Sequence, residues 1–98
     1  MAGSLIDLLV CYDIETLTDA GRRRLRRMGR LCMRYGQRVQ KSVFECRVSA
    51  RTLVRLRDRV GREIDGRTDS VRFYFLRGER GEWLEVMGVD EDHSFLSQ

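Results

Sequence analysis

The sequence predicts a single α+β domain, ordered strand, helix, two strands, helix, strand, with one additional strand at the C-terminal end. Three observations predict it. The chain begins on an apolar run too short to be a helix; two stretches carry apolar residues three and four apart; two others alternate apolar with polar residues. With 98 residues there is room for one domain, its core spanning about 5–87 and an acidic tail filling 88–98. No apolar run approaches the roughly 20 residues of a membrane span. No basic region followed by an apolar stretch suggests a signal peptide.

Leu5 to Glu15 is the segment around which the rest is arranged. Six of the seven residues from Leu5 to Cys11 are apolar, Asp7 being the exception, which predicts a central strand buried on both faces. The run stops at Tyr12 and Asp13. A carboxylate at the end of a central strand stands at the mouth of a sheet, where ligands and metals bind. The same place also suits an aspartate that merely starts a turn.

Thr18 or Asp19 is expected to cap a helix from about Gly21 to Tyr35, with Leu25, Met28, Leu31, Cys32 and Tyr35 as its buried stripe and Gly36 as its C-cap. From Gln37 to Val48 the chain reads as extended, either a kinked strand pair or a tight hairpin broken near Gln40-Lys41. Val43, Glu45 and Arg47 oppose Phe44, Cys46 and Val48. Ser49 caps a second helix, about Ala50 to Ile64, with Leu53, Leu56, Val60 and Ile64 inward and a mixed-charge outer face read as ordinary solvated surface. Ser70 to Arg77 alternates Val71, Phe73 and Phe75 against Arg72, Tyr74 and Leu76. A turn at 78–81 then leads to a last strand, Trp83 to Met87. This order is the ferredoxin-like βαββαβ sandwich with an appended strand. Helices cover only one face of such a sheet, and a second copy of the chain is the expected cover for the other.

Charge narrows the partner class. Eighteen of the nineteen basic residues are arginine, and the net charge is +4. Between Arg22 and Arg47 ten basic residues meet one acid, Glu45, whereas from Glu79 onward six acids meet only Arg80. Seven arginines on one helix without i,i+4 acids repel one another, and phosphates would relieve that repulsion. The three cysteines lack a Cys-x-x-Cys spacing and read as reduced thiols of a cytoplasmic protein; His93, in the acidic tail, is discarded as a base or ligand.

Tyr12-Asp13-Ile14 after an apolar strand, Arg22-Arg23-Arg24-Leu25, the block from Gly36 to Cys46, and Asp69 to Leu76 occur in the order seen in one family. The chain resembles the second CRISPR-associated adaptation protein, and most closely members found beside type I-C systems. The resemblance implies a ferredoxin-like homodimer, often with the C-terminal strand exchanged. It also implies a place beside the CRISPR integrase in spacer acquisition and, in some members, Mg²⁺- or Mn²⁺-dependent endonuclease cleavage of single-stranded RNA or duplex DNA. It places the metal-binding aspartate at Asp13, the adjoining catalytic tyrosine at Tyr12, and substrate handling at Arg22, Arg24, Arg38 and Phe44. Arg23, from its place in the basic cluster, and Ser42, as a phosphate donor, join the nucleic-acid candidates. One aspartate per chain is too little for a Mg²⁺ site, so two Asp13 carboxylates would meet across a two-fold axis. The alternative is a non-catalytic DNA-binding scaffold for the integrase. An RNA-recognition module is set aside, because Arg72-Phe73-Tyr74-Phe75 lacks the glycines of that motif.

Overall fold

A computed structural model describes residues 4–76 and 84–89, so the expected turn at 78–81, Trp83 and the tail from residue 90 lie outside the described residues. The elements are β1 (Ile6–Asp13), α1 (Asp19–Met33), β2 (Gly36–Gln40), β3 (Val43–Val48), α2 (Ala50–Glu63), β4 (Ser70–Phe75) and β5 (Leu84–Gly88). One five-stranded sheet has the order β2-β3-β1-β4-β5, with every neighbour antiparallel. The expected βαββαβ order with an appended strand is therefore observed, and β5 pairs with β4 of its own chain.

Strand alternation divides the sheet into two faces. Leu8, Val10, Tyr12, Phe44, Cys46, Val48, Val71 and Phe73 point to the helices, where Met28, Leu31, Cys32, Leu53, Leu56 and Val60 close the core. Leu9, Cys11, Val43, Tyr74, Leu84 and Val86 lie on the opposite face and are only half-buried. The expectation that β1 is buried on both faces thus fails within one chain. Its centre is apolar on both sides, but helices cover only one. Asp7, the polar exception in the run, pairs on the open face with Arg47 at 2.7 Å.

The hairpin breaks after Gln40, leaving Lys41 and Ser42 as a two-residue turn. Tight hairpins usually need positive φ in such a turn. Here neither residue has it, and a register shift between Arg38 and Gln40 supplies the extra twist instead. The Ser42 carbonyl accepts from the Tyr12 N–H at 3.0 Å, so the hairpin end is fastened beside the end of β1.

Both caps are as expected. Thr18 accepts from the Gly21 N–H and Ser49 from the Thr52 N–H. Helix α1 starts two residues earlier than the pattern suggested and stops at Met33, its last turn tightened by bonds from Arg34 and Tyr35 to carbonyls three residues back. Gly36 is not its C-cap. It opens β2 opposite Cys46, where a Cβ would press on the Glu45 carbonyl and the Cys46 sulfur. Close approach of two strands explains that glycine.

Candidate functional site

Asp13 is the last residue of β1, in register with Ser70 of β4, which itself pairs with Gly88 of β5. Its side chain is exposed on the open face of the sheet. Gly88 has φ +82°, and the space its missing Cβ would take holds the Asp69 carbonyl. Three strands therefore end together at Asp13.

Beneath that end lies a buried carboxylate. Asp69 has no solvent exposure, and every donor around it points inward. The N–H groups of Glu15 and Asp65 donate to it at 3.0 and 2.8 Å. Arg24 donates through Nε at 2.8 Å and Nη2 at 3.3 Å, and the Thr68 hydroxyl at 3.2 Å. Burial alone would push the Asp69 pKa up, but the bonds from Arg24 and from the two backbone groups outweigh it and the net shift is down. Glu15 closes the network from outside, accepting from the Thr18 N–H at 2.7 Å, its hydroxyl at 2.9 Å, and Arg24 at 3.4 Å. Asp69 thus ties the backbone two residues beyond Asp13 to α1 through Arg24 and to the turn after α2 through Asp65.

The arginine cluster is less free than its sequence suggests. Arg24, expected among the substrate-handling residues, is 13% exposed at the side chain and engaged with Asp69 and Glu15. Arg22 is exposed, paired with Asp19, and donates to the Thr16 carbonyl at 2.9 Å. Arg27 pairs with Glu63 across the helices. Arg23 is exposed and has no partner among the described residues.

Tyr12 and Phe44 belong to the core. Phe44 is fully enclosed and Tyr12 is 6% exposed, their rings stacked 6.2 Å apart. Neighbouring strand residues face opposite sides, so the Tyr12 ring lies on the helix face while Asp13 lies on the open one. The two do not form one catalytic centre within a chain, and neither ring is available to stack on a base. Burial raises the Tyr12 pKa, with the nearby Arg38 pulling the other way, so its hydroxyl stays protonated near neutral pH. Arg38 remains a surface group. Its guanidinium lies 5.0 Å above the Phe44 ring, in the notch left by Gly29 of α1. Ser42 is half-buried, and the contact it makes is through its backbone carbonyl.

The donor set decides what metal would fit. Among the described residues no group of three or more His, Cys, Asp or Glu side chains could hold an ion. Asp13 offers one carboxylate per chain. Mg²⁺ keeps several waters and binds through few carboxylates together with substrate phosphates, so a pair of such aspartates would fit it. No helix among the described residues is long and apolar enough to cross a membrane.

The cysteines yield a separate prediction. Burial pushes the thiols of Cys32 and Cys46 up to about 12 and about 11, and both are buried free thiols. Cys11 is half-buried on the open face. A thiol reagent at neutral pH is expected to modify one cysteine per native chain, identified by peptide mass as Cys11. Early modification of Cys46 would contradict this packing.

Comparison with known proteins agrees with the geometry. The family model described as CRISPR associated protein Cas2 matches residues 7–82. The chain is 56% identical to the CRISPR-associated endoribonuclease Cas2 of Chlorobaculum tepidum over 86% of its length and 88% of that protein. It is 44% identical to the CRISPR-associated endonuclease Cas2 of Halalkalibacterium halodurans, covering 84% and 85%. The crystal structure of Streptococcus pyogenes Cas2 at pH 6.5 superposes with a TM-score of 0.67 at 50% identity, over 78% of this chain and 90% of that one.

Proposed function

Because the chain belongs to the CRISPR associated protein Cas2 family, we propose that it serves spacer acquisition as a homodimer that handles the phosphodiester backbone of nucleic acid. In this reading two Asp13 carboxylates, one from each copy, would hold a Mg²⁺ or Mn²⁺ ion, whose charge would assist hydrolysis of RNA or duplex DNA in the cytoplasm. The observation that carries the reading is the setting of Asp13. It is an exposed carboxylate without a partner among the described residues, at the end of the central strand, on a backbone that Asp69 holds in place. The relatives' names, endoribonuclease in one and endonuclease in another, support cleavage and leave both substrates open.

Half-buried Leu9, Cys11, Val43, Leu84 and Val86 give the open face the character of a surface awaiting a second copy. Cys11 makes that testable. Its modification is expected to slow as protein concentration rises through the dimer range, and a rate independent of concentration in a chain that stays monomeric would oppose the dimer. When bound, a divalent cation supplies positive charge to the phosphate oxygens and acidifies water. Asp13 holds that charge in place; Arg38, seated over Phe44, offers a guanidinium to the backbone.

The direct test compares wild type with Asp13→Asn on single-stranded RNA and duplex DNA, with Mg²⁺ and with EDTA. A second reading has its own support: one carboxylate per chain beside a wide arginine surface also suits a non-catalytic scaffold for the CRISPR integrase. In that case neither protein cuts and both bind duplex equally.

A further inference from the structure

We propose that the groove between α1 and α2, on the outer side of the helix layer, is a second nucleic-acid surface that grips a phosphate backbone away from Asp13. The inference rests on the nucleic-acid reading above and adds a place to it. Arg27 and Arg30 of α1 and Arg34, its C-cap, stand at i, i+3 and i+7, and so line one stripe. Arg59 and Arg62 face them from α2, and together with Glu63 these side chains border a groove of about 270 Å³ floored by buried Leu31.

Five guanidinium groups meet one carboxylate there. Arg27 takes Glu63 at 2.9 Å, and Arg62 takes Asp58 at 3.1 Å. Arg30, Arg34 and Arg59 are exposed and have no partner among the described residues. Converging like charges are unfavourable unless an anion joins them. The α1 stripe runs seven residues, or about 10 Å at the helical rise, which suits a chain of phosphates better than a single ion. Guanidinium forks bind phosphate oxygens in pairs. The groove also lies on the layer opposite the open sheet face, so a second copy docked on that face leaves it free.

The test titrates the full chain with fluorescent duplex DNA in EDTA over a salt series, for wild type, Arg30→Ala/Arg59→Ala, and Arg67→Ala. Arg67 lies outside the groove and pairs with Asp65. Each lost phosphate contact lowers the slope of log affinity against log salt by roughly 0.9. The double variant is expected to lose about 2 units of slope and to bind about tenfold more weakly, while Arg67→Ala stays close to wild type. Both groove residues are exposed, so melting should hold; if the double variant does not fold, Arg30→Gln/Arg59→Gln replaces it. Wild-type binding with an unchanged slope in the double variant, or an equal loss per charge in Arg67→Ala, would overturn the groove while leaving the nucleic-acid reading intact. No duplex binding by wild type would overturn both.

Discussion

Asp69→Asn is expected to lower the melting temperature by more than about 10 °C. The carboxylate has five donors aimed at it and nothing to donate to. Asparagine keeps the volume but brings two N–H donors of its own, so at least one of them must face another donor. The Arg24 guanidinium, 13% exposed, is then left without its main counter-charge. Breaking a buried ion pair by removing one partner costs about 3 to 5 kcal/mol, and in a domain of this size each kcal/mol moves the midpoint by about 4 to 8 °C. The acid limb of stability should change with it. Asp69, Glu15 and Asp65 all have lowered pKa values in the folded chain. In the unfolded chain such carboxylates titrate near about 4. Their contribution is therefore complete above that value and is lost as pH falls through the lower folded values. Wild type should hold its stability down to about pH 5 and lose it steeply below about pH 4, with a shallower fall in Asp69→Asn. Thermal scans by circular dichroism across pH measure both. A variant melting within about 2 °C of wild type would mean that Asp69 does not carry this junction.

What could be read in the sequence was what repeats at short range. The 3.6-residue spacing of Met28, Leu31 and Cys32 and the alternation of Phe44, Cys46 and Val48 report burial directly, so the order of elements and the core were legible. The sequence places the hairpin break only near Gln40-Lys41, with a kinked strand pair as the alternative, because no Asn-Gly marks it; the turn is Lys41-Ser42. Long-range pairing was not legible. Arg24 looked like one more surface arginine because its partner, Asp69, lies 45 residues away. The outer face of α2 looked ordinary because Arg59 and Arg62 acquire meaning only beside Arg30 and Arg34. Tyr12 and Phe44 show a different loss. A family resemblance marks positions that matter without saying why, and here the strand's own alternation assigns both rings to packing and Asp13 alone to the open face.

Asp13→Asn is expected to abolish metal-dependent cleavage while leaving the fold intact. The Asp13 side chain makes no hydrogen bond or ion pair among the described residues, and the residue is held in the ladder through its backbone. An isosteric change at such an exposed place should alter stability by no more than about 0.5 kcal/mol. Its effect on chemistry should be far larger. Asparagine retains one neutral oxygen but loses the negative charge, and in a homodimer one substitution removes both carboxylates at once. Losing groups that merely orient a metal ligand costs about 10- to 100-fold, so losing the ligand itself should exceed about 100-fold. The same variant separates the roles of the two layers. Duplex affinity in EDTA should hold or rise slightly, because two negative charges are removed from beside a phosphate backbone. Cleavage by wild type that survives EDTA, or that persists in Asp13→Asn, would place the chemistry elsewhere. Absent cleavage in both proteins with equal duplex binding would make the arginine surface the functional element and the chain a scaffold.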